Sequence, residues 1–591
     1  MNHLKRSAVL VSITAVLAVA SVPGDAGATS AVSISPLPGT PTAMPHTQIS
    51  FLGASPASLS AISVVGSRSG RHRGHLRSYA AATGASFIPS RPFVPNEHVT
   101  VSVRWRNGSS TVKLSTHFKV AQPVAVSMTG FPATPGTPAE VQSFNSQPTL
   151  HPPTVVVHQA AGTASAPGYI FAAPFLGPGQ YGPMIFDSAG NLVWFHPVSA
   201  GEDAADFQTQ VYHGKNDLTW WQGRTIALGY GLGEDVIADA NYRTVAVVHA
   251  GNGLQADEHE FDLTPQGTAY ILAYSPVQTN LTAAGGAAHG VAVEGVIQEI
   301  DVHTGLVMWE WHSLAHVGVA QSYSKPSAIA STPFDYFHIN SLSTDSQGNL
   351  LISARNTWTV YDLDGHSGQV IWRLGGKAGS FTLGPGVAFA YQHNAAWLPD
   401  GQISLFDDEG SPPVEPPSRG EVITLDEHAK TATLATQLIR SDGPLATTSQ
   451  GDVQALPGGG WMVGWGGLPN FTEFDAQGQV VFDAQLPAGE NSYRVYRLPW
   501  AAQPLQAPAL AAVTSSATTT AYASWNGATT VVSWQLLSGS STAKLTPAAT
   551  VARRGFETAI AVPAAPLVEV RALSASGKVI GTSKALAPSA G

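Results

Sequence analysis

Three histidine-containing segments combine residue types that can do chemistry, although they lie far apart in the chain. They are Asp257-Glu-His-Glu260, His338-Ile-Asn340 with Arg355 shortly after it, and Gln392-His-Asn394. Each histidine precedes a hairpin with a strong turn signal, which suggests equivalent places in a repeated fold. One such histidine alone would more often be a hydrogen-bonded structural residue. Three at equivalent places favour a shared site.

This set of side chains fits two kinds of chemistry. A neutral imidazole, with a reference pKa of about 6.5, is a nucleophile at neutral pH. A guanidinium and further imidazoles can hold the oxygens of an anionic group while it is transferred, because negative charge in transit needs positioned donors. In the alternative, His259, His338 and His393 ligate zinc or copper and leave one position open for hydrolysis. Arg355 disfavours that metal site, since its charge repels a cation.

The elements that must position these residues are indicated by an internal repeat. An acidic residue, a turn and an alternating apolar strand recur six times, and a second kind of hairpin lies between the copies. Each repeat therefore holds four strands, which is typical of a propeller blade. The sequence predicts a six-bladed β-propeller over residues 151–505, with loops from every blade meeting at a central channel. The copies begin at Asp187, Asp239, Asp301, Asp362, Asp426 and Asp475.

The regions on either side of the repeat differ from it in composition. Residues 31–125 contain alternating strands joined at Asn107-Gly108 and predict an N-terminal β-sandwich. The composition of residues 126–150 predicts a Pro-rich linker or strap. Residues 507–591, rich in Ala, Ser and Thr, predict a C-terminal sandwich of the immunoglobulin or fibronectin type. The predicted fold class is all-β, a six-bladed propeller flanked by two sandwiches.

The first 28 residues have the pattern of a signal peptide. Lys5 and Arg6 precede the apolar stretch Ala8–Val22, and Ala26-Gly27-Ala28 is a small-residue cleavage site. Because the apolar stretch falls short of the roughly 20 residues that a membrane helix needs, we expect cleavage after Ala28 and a secreted protein without stable membrane insertion. The absence of cysteine excludes thiolate metal sites and cysteine nucleophiles. A net charge of -10 disfavours a nucleic-acid partner.

The histidine segments also resemble a known family. The stretch from about 255 to 500 is similar to the bacterial arylsulfate sulfotransferases, and more closely to their actinobacterial-type branch, in these segments and in Trp372-Arg-Leu-Gly-Gly376. Trp220-Trp221 and Asp452-Val-Gln454 also fit. The resemblance implies transfer of a sulfuryl group from an aryl sulfate ester to a phenolic acceptor through a sulfohistidine, with neither a cofactor nor a metal. The implied partners are therefore two small molecules.

Motif matching within this resemblance gives each residue a role. His393 matches the histidine nucleophile, and His259, His338 and Arg355 match residues that hold the sulfuryl oxygens. Asn340 matches the substrate-binding residue beside them. We expect His393 on a loop at the channel mouth, where Arg355 lowers its pKa and outweighs the acidic run Asp407-Asp408-Glu409, which raises it. Two other functions stay open: a non-catalytic secreted propeller for binding or adhesion, and the histidine metal site. The sequence leaves the natural donor and acceptor and the oligomeric state undetermined.

Overall fold

The computed structural model describes residues 32–440 and 443–591, so the predicted signal peptide lies outside the described residues. Over these ranges the chain forms β-strands and short 3₁₀ turns, with no α-helix. The predicted all-β fold class is confirmed. No helix in these ranges is long and apolar enough to cross a membrane. The 3₁₀ turns are Pro56–Ser58, Pro138–Glu140, Thr282–Ala284, Ser313–Ala315, Val319–Gln321, Arg355–Thr357 and Thr542–Lys544.

The N-terminal strands form two facing sheets, with strand orders β1-β2-β6-β5 and β4-β3-β7-β8. Alternation along the strands turns Phe51, Val101 and Phe118 into a common core. Gly108 has a left-handed φ of 58°, as the tight turn between β7 and β8 requires. The strands are β1 (Ser33–Ser35), β2 (Ile49–Leu52), β3 (Leu59–Gly66), β4 (Gly70–His72), β5 (Gly74–Ser78), β6 (Gly84–Pro89), β7 (His98–Asn107) and β8 (Ser110–Lys119).

The central region contains the strands that carry the candidate site. The first of them are β9 (Val156–Gln159), β10 (Tyr169–Ala172), β11 (Met184–Phe186), β12 (Leu192–Phe195), β13 (Asp203–Tyr212), β14 (Lys215–Ile226), β15 (Tyr230–Ala238), β16 (Thr244–Val248), β17 (Phe261–Leu263), β18 (Thr268–Thr279), β19 (Gly290–Asp301), β20 (Leu306–His312) and β21 (Pro333–Asp335). They are followed by β22 (Ile339–Thr344), β23 (Leu350–Ala354), β24 (Thr359–Leu363), β25 (Val370–Gly375), β26 (Thr382–Leu383), β27 (His393–Trp397), β28 (Ile403–Asp407), β29 (Arg419–Asp426), β30 (Thr431–Leu438), β31 (Asp452–Ala455), β32 (Trp461–Gly464), β33 (Asn470–Phe474), β34 (Val480–Gln485) and β35 (Val495–Leu498).

Within the described ranges these strands form six antiparallel sheets, here numbered I to VI. Sheet I has the order β35-β10-β11-β12, sheet II is β13–β16, sheet III β17–β20, sheet IV β22–β25, sheet V β27–β30 and sheet VI β31–β34. Strands β21, β26 and β9 add to the sides of sheets III, V and VI. The sheets therefore follow one another along the chain, apart from β35 and β9, which join sheets distant in sequence.

Contacts between the sheets run in a closed order. Strand β13 contacts β10 and β17, β18 contacts β22, β22 contacts β27, β27 contacts β31, and β31 contacts β35. Because β35 pairs with β10 in sheet I, hydrogen bonds close the ring between its first and last parts. This closed order supports the six-bladed propeller, whose blade number stays a prediction.

The repeat seen in the sequence corresponds to the outer hairpin of each sheet. Asp187, Asp239, Asp426 and Asp475 each accept backbone N–H bonds from residues two to four positions ahead, which shapes the turn between the last two strands. In the fourth copy, which begins at Asp362, the turn is held instead by Asp364. These aspartates therefore shape the turns of the outer hairpins. The candidate site residues lie instead at the inner strands.

The segment 126–150 behaves as a strap along the central sheets. Before it, Val124 N–H donates to Pro276 O at 2.9 Å, and Ala227 N–H then donates to Thr129 O at 2.7 Å. Further on, Thr134 N–H donates to Leu176 O at 2.6 Å. These bonds hold the segment against sheets III, II and I in turn.

After the central region, two more four-stranded sheets enclose a core that includes Trp534 and Val570. These sheets form the C-terminal sandwich. Asn526 ties it to sheet I through two hydrogen bonds with the backbone of Phe195. The strands are β36 (Ala509–Ser515), β37 (Thr518–Ser524), β38 (Ser533–Gly539), β39 (Thr546–Ala552), β40 (Glu557–Pro563), β41 (Leu567–Leu573), β42 (Val579–Thr582) and β43 (Ser589–Ala590).

A buried ionic network joins the N-terminal sandwich to sheet III. His312 lies between Glu294 and Glu310, at 3.2 and 2.9 Å, and all three side chains are inaccessible to solvent. Thr42 of the sandwich donates to Glu294 at 2.7 Å. Burial lowers the pKa of His312, but the two carboxylates outweigh it and raise the pKa to about 10. The imidazolium therefore holds together two carboxylates that would otherwise repel each other.

We expect His312→Leu to destabilise the protein by about 3–5 kcal/mol, because it leaves two buried carboxylates without their cation. Chemical unfolding monitored at pH 6 would measure the loss, and the exposed His303→Leu is the matched control. Since the folded-state pKa lies above the ordinary value of 6.5, the difference should be complete below pH 6.5 and shrink as pH rises towards 10. A loss below 1 kcal/mol at pH 6 would contradict this role.

Candidate active site

A cavity of about 600 Å³ lies where the inner strands of the six sheets begin. His259 precedes β17, His338 precedes β22, and His393 is the first residue of β27. Equivalent places in successive sheets thus bring residues 79 and 55 positions apart to one cavity, as the sequence predicts. The other sheets contribute lining residues from the same end of the ring, among them Phe175, Ala205, Gln450 and Tyr493.

His393 has a fixed orientation. Its Nδ1 lies 2.6 Å from Oδ2 of Asp408, the residue directly after the neighbouring strand β28, and its Nε2 accepts a 3.3 Å hydrogen bond from the backbone N–H of Gln450. Because Nε2 is an acceptor, the ring proton is on Nδ1 and points to the carboxylate. Nε2 therefore carries the lone pair, which accepts the Gln450 N–H at the cavity wall and becomes free for attack when that hydrogen bond breaks.

The surroundings of His393 also keep it neutral. Burial, followed by the positive charge of Arg355 and by the neighbouring imidazoles, lowers the pKa of His393 well below its ordinary value. The expected effect of Arg355 is confirmed in direction, although burial is the larger cause. The expectation of a mouth-facing loop is wrong: His393 is only 1% exposed. His393 begins strand β27, which pairs with β28, and Asp408 follows β28 directly. The hydrogen bond between the two side chains therefore holds the ring in the interior of the fold.

His259 and His338 have the same arrangement as His393. Nδ1 of His259 lies 2.5 Å from Asp257 Oδ1, and Nδ1 of His338 lies 2.5 Å from Asp335 Oδ2. The two rings are perpendicular, with centroids 5.0 Å apart. All three carboxylates hold the ring on its Nδ1 side, which leaves Nε2 for the cavity. Burial lowers the pKa of His338 despite the opposing effect of Asp335.

Arg355 adds a positive charge to the cavity lining. It begins a 3₁₀ turn after β23, and one of its terminal nitrogens donates to Thr448 O at 2.8 Å. The guanidinium lies over the ring of Tyr391, 4.8 Å from its centroid. Within the described ranges no carboxylate is within 4.0 Å of it, so its charge is not neutralised by direct contact. The Thr448 carbonyl and the Tyr391 ring together hold the guanidinium plane beside the histidines.

Asn340 is placed differently from the other predicted site residues. It is fully buried, and its side-chain nitrogen donates to Gln392 O at 2.8 Å. The backbone carbonyl of Asn340 accepts a 2.8 Å hydrogen bond from the Tyr493 hydroxyl. The cavity lining does not include Asn340. The side chain therefore supports the backbone just before His393, and contact with a substrate stays a prediction.

Irregular backbone accompanies the site. His338 has a left-handed φ of 55°, which is uncommon for a residue with a side chain and is frequent at functional sites. The ladders of β13, β22 and β27 each shift register, between Ala205 and Gln208, Ile339 and Ser341, and His393 and Ala396. Such bulges redirect side chains. Their occurrence in three inner strands explains why simple alternation does not show which residues face the channel.

The sequence did not identify the hydrogen-bonding partners of the three histidines, nor Glu258 beside them. The partners Asp257 and Asp335 stand two and three residues before their histidines, a spacing that can be found in the sequence. Asp408 is 15 residues after His393 and meets it only across a hairpin. Glu258 lines the cavity, and burial together with Asp257 raises its pKa well above the ordinary value. Burial and the neighbouring Asp257 therefore favour the protonated form of Glu258.

Apolar side chains also line the cavity and are here called the apolar wall. They are Phe175, Leu176, Leu228 and Phe334, together with Phe131 from the strap. A flat apolar group can pack against this wall while its anionic end lies among the histidines and Arg355.

The comparison with protein families agrees with the predicted resemblance. Residues 208–486 match the family model described as Arylsulfotransferase (ASST). This range contains His259, His338, Asn340, Arg355 and His393. No curated protein matches the chain.

Solved structures give distant matches. A protein of unknown function from Bacteroides caccae has 12% identity and a TM-score of 0.35, covering 56% of this chain and 98% of its own. Virginiamycin B lyase from Staphylococcus aureus has 8% identity and a TM-score of 0.27, with coverages of 62% and 94%. A quinonprotein alcohol dehydrogenase-like protein from Bacteroides thetaiotaomicron has 8% identity and a TM-score of 0.26, with coverages of 78% and 96%.

Asp408→Asn should leave the fold intact but lower kcat on an aryl sulfate by roughly 10³-fold, because an amide no longer holds the proton of His393 on Nδ1. The expected change in KM is small. Steady-state kinetics would measure both constants, with Asp400→Asn in the exposed turn of the same hairpin as the control. If Asp408→Asn keeps more than a tenth of the rate, Asp408 does not set the tautomer.

The pH dependence of kcat/KM should report the lowered pKa of His393. Since an imidazole with a lowered pKa stays neutral to lower pH, we expect the acid limb of the profile to lie well below pH 6.5. A profile on an aryl sulfate between pH 4 and 9 would test this. An acid limb centred at 6.5 or higher would show that burial and Arg355 do not control the protonation of His393.

Proposed function

We propose that this protein transfers a sulfuryl group from an aryl sulfate ester to a phenolic acceptor, through a sulfohistidine at His393. The carrying observation is a neutral imidazole with its lone pair on the cavity side and its other nitrogen held by Asp408. The family match over residues 208–486 supports arylsulfotransferase activity at the level of the family.

In the first half-reaction, Nε2 of His393 forms a bond to sulfur as the ester S–O bond breaks. The electron pair of that bond goes to the phenolate oxygen. Arg355 donates to the sulfuryl oxygens as a permanent cation, because donors in a water-poor cavity act strongly on charge. His259 and His338 add donors from Nε2 only as imidazolium ions, with Nδ1–H kept on Asp257 and Asp335, and the anionic ester favours that charged form. Glu258 lines the cavity, and burial and Asp257 favour its protonated form, so it supplies a proton to the departing phenolate.

In the second half-reaction, the oxygen of the acceptor phenol attacks sulfur and the S–N bond breaks, which returns the electron pair to Nε2. The phenolic proton passes to the Glu258 carboxylate and restores the starting state. Dividing one displacement into two steps is the usual gain of a covalent intermediate. The positive charge among the oxygen-binding residues favours the anionic ester over a neutral phenol ether.

A metal-dependent hydrolase is the second candidate, and one observation favours it. His259, His338 and His393 each have a carboxylate on Nδ1, the arrangement that orients histidine ligands around a metal. The nearness of Arg355 disfavours a cation at the same place. A chelator should inhibit only the metal-dependent hydrolase, and only the sulfotransferase should become covalently sulfated.

The deciding experiment is mass spectrometry of the protein treated with an aryl sulfate alone at neutral or alkaline pH. We expect one added SO₃ on the peptide that contains His393, and its loss when a phenol is added. His393→Asn keeps a donor for Asp408 and should show no adduct, whereas the exposed His428→Asn should behave like the wild type.

Each other outcome rejects a defined part of the proposal. An adduct on His259 or His338 would keep the reaction and overturn the roles. Chelator-sensitive hydrolysis without an adduct would support the metal site. Binding without turnover would support the adhesion module.

Export is a separate part of this proposal. The pattern of residues 1–28 supports secretion with cleavage after Ala28, and N-terminal sequencing of the exported protein would test it. The closer relation to the actinobacterial-type branch stays a prediction.

A further inference from the structure

The strap brings an exposed aromatic ring to the cavity. Phe131 belongs to the apolar wall although it precedes the six sheets in sequence, and 43% of its surface is exposed. A large apolar side chain this exposed beside a cavity loses contact with water when a flat ligand covers it. No other part of the strap contributes to the cavity lining.

The backbone on either side of Phe131 is anchored. Thr129 O accepts the Ala227 N–H at 2.7 Å, and Thr134 N–H donates to Leu176 O at 2.6 Å. Ala227 and Leu176 are themselves lining residues. The short stretch between the anchors contains Pro132, whose ring restricts the backbone. Phe131 is therefore presented to the cavity from a fixed support.

The proposed chemistry limits where the two aryl groups can lie. The phenolate leaves sulfur on the side opposite His393, and the acceptor attacks from that same side when the S–N bond breaks, as in-line displacement requires. Donor and acceptor must then place their rings in one region in turn. The apolar wall is the part of the cavity suited to a ring.

We propose that Phe131 of the strap forms one wall of a single aryl subsite, which the donor and the acceptor occupy in turn. This inference rests on the proposed sulfuryl transfer. It makes the strap, and not the ring of sheets alone, a determinant of which aryl groups are accepted. It also predicts that donor and acceptor compete for the free enzyme.

Phe131→Ala should raise KM for 4-nitrophenyl sulfate and for phenol by the same factor, roughly tenfold, with kcat within about twofold of the wild type. Phe131→Leu should lie between the two, since it keeps part of the apolar surface. Met128→Ala is the matched control, because Met128 lies in the same strap, is 47% exposed and does not line the cavity. Calorimetric binding of phenol to wild type and Phe131→Ala measures the subsite without turnover.

The outcomes separate this inference from the proposed function. If the wild type transfers sulfuryl groups but Phe131→Ala leaves both KM values and phenol binding unchanged, the subsite is wrong and the function stands. A change in only one KM would overturn the shared subsite, and a fall in kcat alone would overturn a role in binding. A wild type that binds phenol through Phe131 without transferring sulfuryl groups would retain the aryl-binding wall but overturn the donor–acceptor subsite together with the function.

Discussion

A buried guanidinium at the centre of the ring is the interaction on which the site depends. Arg494, 2% exposed, donates to Asp206 at 2.9 Å and to both oxygens of Glu260 at 2.8 and 2.9 Å. It also donates to the carbonyl of His259 at 3.0 Å. These partners come from sheets II and III, whereas Arg494 itself leads into sheet I. A buried cation is stable only beside charges that compensate it, and Asp206 and Glu260 supply them. The backbone that carries His259 is therefore held by the same guanidinium that joins the sheets.

Three aspartates extend this principle to the cavity. Each takes Nδ1 of a histidine and so converts a flexible, titratable ring into an oriented one. Burial would penalise an imidazolium, and Arg355 adds repulsion, so His393 is neutral while a positive charge lies beside it. The positive charge that binds an anion also repels a proton on the imidazole, so it favours the neutral ring. Burial and this charge therefore allow a neutral imidazole and an anion-binding group in one cavity.

The flanking parts of the chain are coupled to this arrangement. The strap supplies Phe131, and its anchors at Ala227 and Leu176 tie it to the rim of the cavity. The N-terminal sandwich is joined to sheet III through Thr42, which donates to Glu294 beside His312. The strap is thus part of the cavity lining and the sandwich is anchored to sheet III, which composition alone does not reveal.

Local patterns in the sequence determined the class of fold and the histidines. Alternating side chains and aspartate turns are decided within a few residues, so they predict strands, hairpins and the repeat correctly, and equivalent places in the repeat lead to His259, His338 and His393. The tertiary structure decided the rest. Asp408 meets His393 only because two strands pair, Asn340 is turned away from the cavity at a bulge, and Arg494 reaches Glu260 across 234 positions. Burial, which sets the protonation of His393, is a property of the whole assembly and has no local signal.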